Sequence, residues 1–240
     1  MLKASQIILW LKSHIGAGYV YGTIGQTCTT ELLRQKQAQY GAQMGNGYYQ
    51  LNGDYTKGRC GRWLNKWVCD CSGLIKIARK ALSGVWQDVS AQGTYDQCGS
   101  RGAIGSMPLT PGCTVYMYSK EKGRMSHVGM YIGGGLVVEA RGVDYGVVAT
   151  RLSDRAWTHW GLLDWLVHDI AADTGKVVVG GAADAGDASN PKPGDAMPYE
   201  QAVDIISQKA GINKEYWLRK KDIEPNFPRL MAMIAAAMKG

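Results

Sequence analysis

The chain has 240 residues, 45% hydrophobic and 20% charged, enough to bury one sizeable core with material left for a small appendage. Its net charge of +7 is concentrated in residues 1–168, which hold 18 Lys and Arg against 10 Asp and Glu. No apolar run approaches the roughly 18 residues needed to cross a bilayer, no Lys/Arg-rich run or nucleic-acid motif accompanies the charge, and the six cysteines lack the spacing of a disulfide framework. Membrane insertion, nucleic-acid binding and a disulfide scaffold are therefore excluded as expectations.

In chain order, Ile7–Leu11 followed by Lys12 reads as an amphipathic first helix capped by Ser5. It lacks the small-residue cleavage site of a signal peptide. His14 beyond it is expected to face solvent. Next come Gly18-Tyr19-Val20-Tyr21-Gly22, then residues 23–68 with Tyr40, Tyr48, Tyr49, Tyr55, Trp63 and Trp67 and six basic against two acidic side chains. Two readings of that stretch stand level: a wall of a binding groove that attracts carboxylates, or a surface lobe with its own aromatic cluster.

Val68-Cys69-Asp70-Cys71-Ser72-Gly73-Leu74-Ile75 is the densest signal in the chain. Leu74, Ile75, Ile77, Ala78, Ala81 and Leu82 recur at three- and four-residue spacings, which predicts a helix over Ser72–Leu82 with Cys71 at its start. Unpaired N–H groups and the positive end of the helix dipole stabilise a thiolate there. Asp70 is expected to cap the helix or brace the loop.

Val128–Ile132 alternates in strand fashion and runs into Gly133–Gly135, with Leu136–Arg141 as the return strand of a hairpin. This register sets Glu139 almost opposite His127, so that its carboxylate accepts the imidazole Nδ1–H and the other ring nitrogen serves the thiol. Cys71, His127 and Glu139 thus form a candidate catalytic triad of nucleophile, base and orienting residue. Asp144 is the reserve for the orienting role. A zinc site built from Cys28, Cys60, Cys69 and Cys71 lacks the usual knuckle spacing and would consume the nucleophile, so neither metal nor other cofactor is expected. His159, in the aromatic strand-like run Trp157–Leu166, is read as structural, and His168 as solvent-facing.

Residues 169–197 are rich in Ala, Gly, Asp and Pro and are read as a flexible linker. Residues 198–240 regain helical periodicity in three short segments, a small all-α module; it resembles the small helical modules appended to phage lysins and wall amidases, which implies wall-polymer binding or self-association, with a purely structural appendage as the alternative.

These motifs resemble the NlpC/P60 family of papain-like cell-wall peptidases. The resemblance rests on Asp70-Cys71-Ser72-Gly73-Leu74, on His127-Val128-Gly129-Met130-Tyr131-Ile132-Gly133 and on the tyrosine motif at Gly18–Gly22, and it covers residues 1–168. It implies an α+β fold in which a helical lobe bearing the cysteine packs on an antiparallel sheet. It also implies that Cys71 attacks an amide carbonyl of a peptidoglycan stem peptide, with the bond between D-glutamate and the dibasic residue as first choice. Tyr19 then lines the nucleophile pocket, and with Ser72 and the backbone N–H groups around Cys71 is assigned to substrate and oxyanion binding. The third residue in such enzymes is most often histidine, a place taken here by Glu139, and residues 23–68 stand as an insertion between two motifs that usually lie close together. A wall hydrolase without a signal peptide implies release through a membrane lesion or carriage on a phage particle, hence a phage endolysin or tail-associated enzyme. Two rival classes remain: an N-acetylmuramoyl-L-alanine amidase or thiol acyltransferase, and a non-catalytic wall-binding protein.

Overall fold

The computed structural model describes residues 1–175. The predicted module at 198–240 and most of the linker lie outside them. The elements in chain order are β1 (Leu2–Lys3), α1 (Ala4–Lys12), β2 (Gly18–Tyr19), β3 (Ile24–Thr27), α2 (Thr30–Met44), β4 (Trp67–Cys69), α3 (Cys71–Ser83) and α4 (Ala91–Asp96). A run of strands follows: β5 (Cys98–Ala103), β6 (Thr114–Ser119), β7 (Arg124–Gly133), β8 (Leu136–Gly142), β9 (Gly146–Arg151), β10 (His159–Leu163) and β11 (Leu166–Val167). Helices thus come first and a meander of strands afterwards, which is the order of an α+β fold.

The principal sheet has six strands in the order β5-β10-β6-β7-β8-β9, every neighbouring pair antiparallel. Alternate side chains of a strand leave opposite faces, and β7 shows the consequence. Val128 and Met130 join Val138, Ala140 and Val147 in one core with Ile7, Ile8 and Leu11 of α1 and Leu74, Ile75 and Ala78 of α3. Tyr131 and Val137 join a second core with Val115, Leu152 and Trp157. Each fully buried aliphatic side chain of this kind contributes about 1.5–3 kcal/mol, so the packing of α3 on the sheet holds the position of Cys71.

Two smaller strand sets fix the ends. In a three-stranded sheet of order β2-β4-β3, Tyr19 lies level with Cys69 in parallel pairing. The short parallel pair β1–β11 joins Leu2 to Leu166. Asp169 accepts from the backbone N–H (2.9 Å) and hydroxyl (2.7 Å) of Ser5, and Asp173 accepts from the Tyr131 hydroxyl and from Gly134 N–H. The first residues of the stretch read as linker are therefore tied to the domain.

Several expectations change. α1 begins at Ala4, so Ser5 lies inside its first turn and spends its hydroxyl on Asp169 rather than on capping. His14 stacks on Trp10 at 3.7 Å and shares the Trp10 carbonyl, and His168 is half-buried with Nδ1 3.1 Å from the Pro111 carbonyl oxygen, so neither stands in solvent. Residues 23–68 do not build a separate cluster. Cys28, Leu32, Leu33, Tyr48, Tyr49 and Cys60 are buried in the same core as α1 and α3, because α2 packs its few apolar residues inward and leaves a polar outer face.

Candidate active site

The nucleophile end is built by local geometry. β4 ends at Cys69, and Asp70 in extended conformation turns the chain into α3. Its carboxylate accepts from Gly73 N–H at 2.6 Å and from the Ser72 hydroxyl at 3.2 Å through one oxygen, and from Gly22 N–H at 3.0 Å through the other. Asp70 is thus both helix cap and staple to the tyrosine motif. Gly73 is required by close approach: a Cβ there would lie 2.3 Å from the Thr23 carbonyl oxygen, which accepts the Asp70 N–H at 2.9 Å. Cys71 is the first residue of α3, buried with 9% of its surface exposed. The first N–H groups of a helix have no intrahelical acceptor, so the backbone around Cys71 offers donors to an anion. The Ser72 side chain does not, because its hydroxyl is turned to Asp70.

Tyr19 is buried beside Cys71, and burial first, then the neighbouring Cys71 and Asp70, hold its hydroxyl well above the ordinary tyrosine pKa. It therefore keeps its proton and can donate a hydrogen bond.

The base end is assembled from distant segments. His127 on β7 is held between two groups. Its Nε2 is 2.6 Å from Glu139 Oε2, and the Cys71 thiol lies near enough to act on the ring. Burial opposes a charge on the imidazole, but the interactions with Cys71 and Glu139 outweigh it and raise the His127 pKa to about 9. The contact to Glu139 is through Nε2, not the Nδ1 expected from the sequence, which leaves Nδ1 for the thiol. The reason is register. Met130 pairs with Val138 and Tyr131 with Val137, so Glu139 lies across from Gly129 and reaches His127 diagonally. Gly129 makes that diagonal available: a Cβ there would lie 3.2 Å from that of Glu139 and 3.1 Å from the Trp157 ring.

Glu139 is fully buried, with 0% exposure. Besides His127 it accepts the Thr150 hydroxyl at 2.7 Å, Arg155 Nε at 2.9 Å on Oε1 and Arg155 Nη2 at 3.0 Å on Oε2. Burial alone would raise its pKa; the hydrogen bonds from His127, Arg155 and Thr150 overcome that and lower it to about 2. Trp157 stacks on the imidazole, the rings 5.5 Å apart and 11° from parallel.

Cys71, His127 and Glu139 are thus brought into one chain of contacts, with Tyr19 at its nucleophile end. Asp144 is not part of it. Exposed at the β8–β9 turn, it pairs with Arg59 and Arg62 of the 23–68 stretch. His159 lies half-buried among Tyr95 and Tyr118. Thr150 and Arg155 carry no local motif and were not singled out by sequence; Gly129 and Trp157 stood in quoted runs, but with no role at the site. The one available signal was that a buried carboxylate needs a cation. Among the described residues no group of three or more His, Cys, Asp or Glu is placed to hold a metal ion, all six cysteines are free thiols, and no helix is long and apolar enough to cross a membrane.

Helices packed on an antiparallel sheet, with a cysteine opening one helix and a histidine on a central strand, are the frame of papain-like proteins. Residues 47–165 match the model of the NlpC/P60 family, and the chain carries a domain of that family. Solved structures similar to it include the NlpC/P60 domain of the peptidoglycan hydrolase SagA, at 15% identity over 68% of this chain and 100% of that one, with a TM-score of 0.43. The peptidoglycan hydrolase RipB of Mycobacterium tuberculosis is 17% identical over 68% of this chain and 65% of its own, with a TM-score of 0.42. The P60 domain of an antigen from M. avium subspecies paratuberculosis is 20% identical over 66% and 93%, with a TM-score of 0.41. No curated protein matches the chain.

Proposed function

We propose that the chain is a cysteine peptidase that hydrolyses an amide bond in peptidoglycan stem peptides, the bond between D-glutamate and the dibasic residue being the first choice. The observation that carries this reading is the arrangement itself: a cysteine at a helix start, beside a histidine that is hydrogen-bonded to a fully buried, ionised glutamate. The NlpC/P60 match over residues 47–165 supports the substrate class.

In this mechanism His127 takes the Cys71 proton, and the thiolate attacks the amide carbonyl. The oxyanion of the tetrahedral intermediate is held by backbone N–H groups at the start of α3 and by the Tyr19 hydroxyl. On collapse the imidazolium gives its proton to the departing amine, leaving a thioester on Cys71. His127 then deprotonates a water that attacks the thioester, and the thiol is restored. Glu139 accepts the Nε2–H throughout, fixing the tautomer in which Nδ1 faces the sulfur and balancing the imidazolium charge. The basic surface of the catalytic region draws the enzyme to anionic wall polymer and stem-peptide carboxylates. The biological setting we propose is a phage endolysin or tail-associated wall hydrolase, with residues 198–240 binding wall polymer or joining copies of the chain.

The test is digestion of purified sacculi by the full-length chain and by Cys71→Ala, with mass spectrometry of the released fragments. The wild type should release fragments with a new stem-peptide terminus one water heavier than the intact bond, and Cys71→Ala should release none. Equal lysis by both proteins would sink the thiol mechanism. Fragments carrying an added amine would make the enzyme a transferase.

A further inference from the structure

The contact chain does not stop at Glu139. Arg155 follows the short 3-10 turn Leu152–Asp154 and lies in extended conformation, so its side chain returns to the carboxylate already held by His127 and Thr150. Its guanidinium meets Glu139 as a fork, Nε on one oxygen at 2.9 Å and Nη2 on the other at 3.0 Å. Two parallel N–H···O bonds fix the plane of a carboxylate as well as its charge. The same guanidinium lies 5.9 Å from the Trp157 ring, whose face covers His127. Glu139, Arg155, Trp157 and His127 therefore close into a ring of four mutually supporting side chains.

We propose that Arg155 is a positioning residue of the reaction: its fork holds Glu139 in the plane and charge state that keep the His127 tautomer correct. This rests on the cysteine-peptidase reading. The physical need is plain from the charges. The groups facing His127 are Cys71 from α3 and Glu139 from β8. Those facing Glu139 are His127 from β7 and Arg155, with the neutral Thr150 hydroxyl from β9. In the reactive state the thiolate and Glu139 are two anions, and His127 supplies only one cation. Arg155 supplies the second, so the buried cluster is neutral. Without it a carboxylate at 0% exposure would have to share the imidazolium with the thiolate, and burial favours its protonated form. A protonated Glu139 donates to Nε2 and forces the proton onto Nδ1, the nitrogen that must accept from the thiol.

The experiment uses the full-length chain with a soluble muropeptide as substrate and with ¹³C-labelled glutamate for carboxyl titration by NMR. Arg155→Met, which keeps the length and apolar packing of the stem, should lower kcat by about ten- to a hundredfold with KM little changed. It should also move the Glu139 carboxyl titration upward by at least one pH unit. In a Glu139→Gln background the same replacement should cost no further kcat, because Arg155 acts only through that carboxylate. Arg155→Lys keeps the charge but not the fork and should lose about three- to tenfold. A folded Arg155→Met with wild-type kcat, or one whose loss is undiminished in the Glu139→Gln background, overturns the proposal. Where Arg155→Met does not fold, Arg155→Lys decides: a wild-type kcat there overturns the fork, and a measurable loss upholds it. The two failures are distinguishable, since a wild-type kcat in Arg155→Met leaves the thiol mechanism standing, whereas activity in Cys71→Ala removes it.

Discussion

The two ends of the contact chain are built differently. The nucleophile end is almost one segment: strand, cap and helix run continuously from Trp67 to Ser83, joined only by the neighbouring tyrosine motif through Tyr19 and the Gly22–Thr23 turn. The base end draws Glu139, Thr150, Arg155 and Trp157 onto His127 from β8, β9 and the segment before β10. The first is held by backbone hydrogen bonds and a helix cap, which are directional and short in range. The second is held by a buried ion network whose members carry charge that only the others compensate. Damage at the nucleophile end short of Cys71 itself should therefore appear as lost stability, and damage at the base end as lost turnover and altered pH dependence.

The largest contrast lies in Cys71→Ala against Asp70→Ala, neighbours in sequence. Cys71→Ala should abolish turnover with the melting temperature nearly unchanged, because a small side chain at a helix start leaves little cavity. Asp70→Ala should lower stability by about 0.5–2 kcal/mol through loss of the cap, more if the Gly22 N–H is left unpaired, while the remaining folded enzyme keeps measurable turnover. Parallel thermal melts and muropeptide assays separate the two.

Glu139→Gln should come next, with kcat lower by about ten- to a thousandfold and less damaged than Cys71→Ala, since an imperfectly held imidazole still accepts a proton. Asp144→Asn, made beside it, should leave kcat within about twofold. Were Asp144→Asn the more damaging, the orienting residue would be misassigned.

Gly73→Ala tests the close approach at the nucleophile end. Its Cβ has only 2.3 Å to the Thr23 carbonyl oxygen, so the Gly22–Thr23 turn must move. Such overpacking costs about 1–3 kcal/mol, read as a lowered denaturant midpoint. An unchanged midpoint would show that the turn yields freely and is not part of the nucleophile frame.

The smallest effect is the pH dependence of stability, which belongs to the base end. The His127 pKa is raised from 6.5 to about 9, so its contribution is fully present below 6.5 and is lost as pH rises through 9. That of Glu139 is lowered from 4.5 to about 2, so its contribution is present above 4.5 and is lost as pH falls through 2. Denaturant unfolding between pH 6 and 10 should show an alkaline decline in the wild type that is much reduced in His127→Gln. Turnover should fall over the same range as the imidazolium that protonates the leaving amine is lost. An identical alkaline decline in both proteins would place its origin elsewhere.

How much of this was legible follows the same division. The helix expected over Ser72–Leu82 runs from Cys71 to Ser83, and the hairpin expected at Val128–Ile132 and Leu136–Arg141 is β7 and β8. Periodicity of apolar residues and a run of glycines suffice for such elements, because they depend on neighbours within a few residues. The closeness of Glu139 to His127 was also readable, but not its route. A turn centred at Gly133–Gly134 set Glu139 almost opposite His127, whereas the observed register, Met130 with Val138, sets it opposite Gly129 and makes the contact diagonal. Asp144 looked serviceable from its place in the chain and proved to face Arg59 and Arg62, partners some eighty residues away.

By itself, then, the sequence determined where the helix that Cys71 opens lies, which strand bears His127, and that Glu139 falls near that histidine, since each is marked by a motif or a short-range pattern. The tertiary structure alone decided which imidazole nitrogen meets the carboxylate, that residues 23–68 share the main core, and that Arg155, Thr150 and Trp157 gather around His127 and Glu139. These depend on register and on contacts between segments far apart in the chain. A buried charge demands compensation wherever the fold can bring it, and that demand leaves no pattern in the residues nearby.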